Sequence, residues 1–126
     1  MVAEVAPIGG GPETGVSAQY STTQTSTVIG PAISASQRLV VTYLQIDWDG
    51  LTEAAIVVYF GTGAFVRGTN KALFDGGGHP TANNRGGFVS AKPDGWAGGV
   101  DEELRITTSD AIDPLSVTFW YSIEAA

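Results

Sequence analysis

PLSVTFWYSIE, residues 114–124, alternates more cleanly than any other stretch of the chain. Leu115, Val117, Phe119, Tyr121 and Ile123 fall on one side of an extended backbone, and Ser116, Thr118, Trp120 and Ser122 on the other. A period of two with one apolar face predicts a half-buried sandwich strand. Working back toward the N-terminus, EELRITTSD (102–110) alternates in the same way, with Leu104 and Ile106 opposed by Glu103, Arg105 and Thr107. RGGFVSAKPDGWAGG (85–99) predicts a short strand, Phe88 to Lys92, followed by a turn at Pro93-Asp94-Gly95. Proline presets the backbone angle of such a turn and glycine accepts a positive one.

RLVVTYLQIDWDG (38–50) is the strongest strand signal. Val40, Leu44, Ile46 and Trp48 are expected on one face, with Leu39, Val41 and Tyr43 on the other. AAIVVYFG (54–61) is also apolar on both faces, with Ile56, Val58 and Phe60 opposed by Val57 and Tyr59. Two apolar faces predict a central strand, or one whose outer face meets another subunit. The short gap after the Asp49-Gly50 turn signal predicts that these two strands form an antiparallel hairpin, with AFVRG (64–68) continuing the sheet. Gly68 to Arg85 reads as loop. Val16 to Gly30 is rich in Ser, Thr and Gln and reads as one polar strand or two short ones. Residues 1–15 are small, Pro- and Gly-containing and aperiodic. They read as a flexible arm, either a disordered leader or a segment that orders on a partner. No segment holds a 3.6-residue period. The expected fold is all-β, an antiparallel jelly-roll-like β-sandwich over residues 16–126.

Composition narrows the function classes. The 126 residues suit one domain, and 43% hydrophobic with 15% charged residues is not a disordered composition. Six Lys and Arg against a net charge of -7 do not supply the basic footprint of a nucleic-acid binder, so no nucleic-acid partner is expected. No apolar run approaches the ~20 residues of a membrane helix, so no membrane partner is expected either. The first residues lack the basic and apolar regions of an export signal. With no cysteine, disulfides and thiolate chemistry are absent.

The glycine clusters do not form a phosphate loop, which requires a following helix and a Lys-Ser/Thr ending. Asp47 and Asp49, two apart on a strand, share a face as calcium or acid–base carboxylates do. Asp49 beside Gly50 is equally a turn residue, and the structural reading is preferred. His79, the only histidine, has no companion His or Cys for zinc, and no G-x-S-x-G selects a nucleophile beside it. No catalytic residue, metal or cofactor is therefore expected, and the chain reads as non-enzymatic. The residues singled out instead as a candidate interface are Tyr43, Trp48, Val57, Tyr59, Trp96 and Trp120. Trp120 stands on the polar face of its strand, where it meets a partner, a covering segment or a sugar ring.

The stretch from Arg38 to Ala126 resembles small structural proteins of tailed bacteriophages. The matching residues are Gly86-Gly87-Phe88-Val89, Pro93, Gly95-Trp96, Glu103-Leu104, Ile106-Thr107, Ser109, Val117-Thr118 and Tyr121. The first residues match no motif of that family. The resemblance implies a capsid decoration (cement) protein on the outside of the virion. Such a protein is jelly-roll-like, often trimeric, and seated where major capsid protein subunits meet. The alternative is a tail- or fibre-associated or carbohydrate-binding module that contacts a host surface through exposed tryptophans.

Overall fold

The computed structural model describes residues 13–50, 54–78 and 84–126. His79 and all but the last three residues of the 1–15 segment lie outside them. Eight strands are described: β1 (Thr14–Tyr20), β2 (Thr27–Val28), β3 (Gln37–Gly50), β4 (Ala54–Gly61), β5 (Ala72–Gly78), β6 (Asn84–Ala97), β7 (Glu103–Thr108) and β8 (Leu115–Ala125). They form two four-stranded antiparallel sheets, ordered β1-β8-β3-β6 and β2-β7-β4-β5. This interleaving of early and late strands, with every sequential pair except β4-β5 split between layers, is a jelly roll.

The core is the alternation of β8 and β7 turned inward. Leu115, Val117 and Phe119 face Leu104, Ile106, Ile56, Val58 and Phe60, all with no or almost no exposure. Each such side chain contributes about 1.5–3 kcal/mol by leaving water. Trp48, Phe74, Phe88, Trp96 and Tyr121 are partly buried against this cluster.

Residues 38–50 do form a strand, but not with the expected faces. The register against β8 runs Val41↔Tyr121, then Tyr43↔Trp120, leaving Thr42 as an extra residue in a β-bulge. The bulge shifts the alternation by one. Leu39 and Val41 before it, and Leu44 and Ile46 after it, therefore all enter the same core. The apolar content of both parities is thus one core face re-phased. A second register break occurs in β6. Ala91 pairs with Tyr43 and Trp96 with Val41, so Lys92-Pro93-Asp94-Gly95 loops out of one continuous strand. The expected turn is present, with Gly95 at φ +81°. It interrupts a strand instead of joining two.

β3 and β4 do not pair as a hairpin. The chain crosses between layers after Gly50, so β3 lies between β8 and β6 while β4 lies between β7 and β5. AFVRG does not extend the sheet, and ALFDGGG (72–78), read as loop, is edge strand β5. The Ser/Thr/Gln segment resolves into β1 and β2. Between them, Gln24 is 8% exposed and fixes the connection to β7. Its backbone N–H donates to Thr108 Oγ1 (3.0 Å), and its carbonyl accepts from Thr108 N (2.9 Å).

The second face of β4 is covered from within the chain. Tyr59 is fully buried, donates its hydroxyl proton to the Gly63 carbonyl (2.7 Å), and has Phe65 against its ring at 5.2 Å. Arg67 sits over Phe65 at 5.4 Å and pairs with Asp75 at 2.6 Å. The 62–70 connection is therefore a lid on the outer side of the β2-β7-β4-β5 sheet.

Candidate functional site

The outward side chains of β8 and β3 fall into register-matched rows on the exposed face of the β1-β8-β3-β6 sheet. One row reads Gln19, Ser116, Asp47, Gly87, and the next Ser17, Thr118, Gln45, Val89. A third reads Gly15, Trp120, Tyr43, Ala91. The face is small and polar apart from its third row and Val89, which is 61% exposed. Down β3, the Tyr43 hydroxyl donates to Gln45 Oε1 (2.7 Å), and Gln45 Nε2 donates to Asp47 Oδ2 (2.8 Å). Beside this column the hydroxyls of Ser17 and Thr118 are 2.6 Å apart.

Trp120 lies flat on β1. A Cβ on Gly15 would stand 3.3–3.4 Å from three atoms of the indole, so one face of the ring rests on the glycine backbone. The other face is turned outward, and the residue is 37% exposed. Trp120, Tyr43, Thr42, Ala91, Pro93 and Glu13 line a recess of about 210 Å³. The Thr42 hydroxyl, at the bulge, donates to the Glu13 carboxylate, which holds the entry of β1 across the face. At the rim, hydrogen bonding from Lys92 (3.1 Å) is the first cause that lowers the Asp94 pKa, helped by a backbone hydrogen bond.

The far end of the β3 column opens into a second groove, of about 410 Å³, lined by Asp47, Trp48, Asp49, Gly86, Gly87, Pro114 and Ser116. Asp47 and Asp49 do come together at this groove, as their spacing suggests. Asp47 is engaged by Gln45, and the Asp49 backbone N–H donates to the Pro114 carbonyl (3.2 Å). No third acidic residue or histidine among the described residues joins them to form a metal-ligating group.

The six candidate interface residues divide by this geometry. Tyr43 and Trp120 are adjacent on the open face. Trp48 and Trp96 pack against the core cluster, Trp48 with its ring 6.3 Å from Phe74, and Trp96 opposite Val41. Val57 and Tyr59, 6% and 0% exposed, lie on the outer face of β4 and offer no surface. Sequence reasoning passed over Gln45, Ser17 and Thr118, which carry most of the polar contacts of the face. For Thr118 the signal available was its outward parity on a strand already identified, whereas the parity of Gln45 is set by the bulge at Thr42.

No family model matches the sequence, and neither does any curated protein. Among solved structures, the chain has weak similarity to the Tobacco streak virus coat protein, at 12% identity and a TM-score of 0.40 over 90% of this chain and 84% of that one. It also has weak similarity to the IMPa metallopeptidase from Pseudomonas aeruginosa, at 18% identity and a TM-score of 0.37. A structure of IMPa metallopeptidase in complex with T-antigen gives 20% identity and a TM-score of 0.37. The chain spans about 13% of the length of the metallopeptidase chains. It is a β-sandwich domain with weak structural similarity to a viral coat protein and to a part of a metallopeptidase.

Proposed function

We propose that the chain is a non-enzymatic virion protein of the capsid decoration (cement) type, which docks on the major capsid protein from outside and stiffens the shell. The observation that carries this reading is where the phage-like motifs fall. GGFV lies in the first paired half of β6, P-x-GW spans its loop-out and rejoins the ladder at Trp96, E-L-x-I-T lies in β7, and V-T-x-x-Y in β8. The resemblance thus runs through three consecutive strands of one jelly roll and includes the loop-out at Pro93. Rigidity suits the role, and among the described residues no buried side-chain N or O atom lacks a hydrogen-bond partner. A trimer is the assembly that the resemblance implies.

Mass spectrometry of purified particles from the phage that carries the gene tests the reading. The expected result is a stoichiometric capsid component whose removal lowers the heat resistance of the particles and whose addition restores it. Absence from the particles, or presence only in a tail fraction, overturns it. Removing residues 1–12 leaves β1 whole and is expected to abolish shell binding. Full binding by that variant would place the contact elsewhere. Light scattering reads the oligomeric state, with a trimer expected.

A further inference from the structure

We infer that the outer face of the β1-β8-β3-β6 sheet binds a neutral oligosaccharide along β3, with Trp120 as its stacking platform. This goes beyond shell attachment. Three features of the face converge on that ligand.

The first is the indole. Glycine at position 15 lets the Trp120 ring lie parallel to the sheet, with its outer face open. An aromatic plane presented this way matches the apolar face of a pyranose ring, and its position is fixed by the strand beneath it. The second is the column from Tyr43 through Gln45 to Asp47. Its members are aligned by mutual hydrogen bonds yet keep capacity to spare. The Gln45 amide has a second N–H, and each Asp47 oxygen accepts more than one bond. Planar amide and carboxylate groups can each engage vicinal hydroxyls. The column runs from Tyr43 to Asp47, four strand rises or about 13 Å, the length of a short oligosaccharide, and it joins the recess at Trp120 to the groove at Asp47.

The third feature is charge. Among the described residues, the carboxylates of Glu13 and Asp47 line the two recesses, and Lys92 at the rim is paired with Asp94. On a chain of net charge -7, such a face repels sialylated or sulfated glycans and nucleic acid. An uncharged polyol with an apolar ring face meets both the stacking surface and the acceptors.

The test uses the full-length protein on an array of neutral oligosaccharides, with sialylated and sulfated glycans as the counter-set, followed by calorimetric titration of the strongest neutral binder. Wild type is expected to bind neutral glycans only. Trp120→Ala and Gln45→Ala are each expected to weaken binding at least tenfold, and Trp120→Phe to keep part of it. Thermal unfolding of each variant confirms that the fold is intact. The inference is overturned if wild type binds no neutral oligosaccharide at millimolar concentration, if it prefers the anionic set, or if folded Trp120→Ala and Gln45→Ala keep wild-type affinity. Particle association, measured on the same variants, is expected to be unchanged, so failure of one role is read separately from failure of the other. Loss of particle association in folded Trp120→Ala would assign this face to the shell and overturn the glycan reading.

Discussion

Gly86 sits against the indole of Trp48: a Cβ at position 86 would stand 2.3 Å from two atoms of the ring. The two residues are register partners on β6 and β3, at the end of the sandwich where Trp48 packs on Phe74 and Phe74 on Phe88. Position 86 is therefore closed to any side chain by a rigid ring. Gly86→Ala is expected to cost about 1–3 kcal/mol, the usual range for overpacking, measured by chemical denaturation. Gly63→Ala, at a site with no atom within 4 Å of the new methyl group, is the matched control and is expected to cost far less.

The bulge at Thr42 sets which residues enter the core on both sides of it. Deleting Thr42 restores a regular ladder and forces a choice between burying Leu39 with Val41 and burying Leu44 with Ile46. The deletion is expected to yield no cooperatively folding protein by circular dichroism. Thr42→Ala keeps the extra residue and loses only the hydrogen bond to Glu13, at a cost of about 1 kcal/mol. A folded deletion variant would show that the bulge is dispensable.

Tyr59→Phe leaves the ring in place and removes the hydroxyl that donates to the Gly63 carbonyl and contacts Ser26 Oγ at 3.1 Å. A loss of about 1–2 kcal/mol in unfolding free energy is expected, with faster amide exchange in the 62–70 connection. Unchanged exchange there would mean that Phe65 and Arg67 hold the lid without it.

Burial pushes the Tyr20 phenol above its ordinary value of 10.0. A raised phenol pKa means that the folded state keeps its proton where the unfolded state has released it. The contribution is fully present below pH 10 and is lost as pH rises through the folded-state value. Wild type is expected to lose denaturant resistance as pH rises above 10 more steeply than Tyr20→Phe. Parallel curves for the two proteins would place the alkaline sensitivity elsewhere.

The sandwich was legible because β7 and β8 alternate without a break, and Ile106, Val117 and Phe119 lie inward as their parity requires. The faces of β3 were not legible because of the register irregularity at Thr42. The odd-numbered Leu39 and Val41 and the even-numbered Leu44, Ile46 and Trp48 change phase across Thr42. That change is itself the mark of a bulge, yet a fixed period of two turns it into a second apolar face. β5 was missed because Gly76, Gly77 and Gly78 argue for loop, whereas Ile56, Ala55 and Ala54 of β4 supply the pairing that holds them extended. At the face of Trp120, the tryptophan itself was legible. The column on β3 was not, since its alignment depends on which parity the bulge turns outward.

The outermost strands have a consequence for how closely copies of this protein can crowd. A sheet edge with unpaired amides is an invitation to add another chain. Here β2 is two residues long, β5 ends in three glycines after Asp75, and β6 is broken by Lys92-Pro93-Asp94-Gly95. Only β1 presents a long regular margin. A molecule blunted on three of its four margins can be packed at high local density without zipping into fibrils, and the single plain margin, at β1, is where ordered side-by-side growth would have to begin.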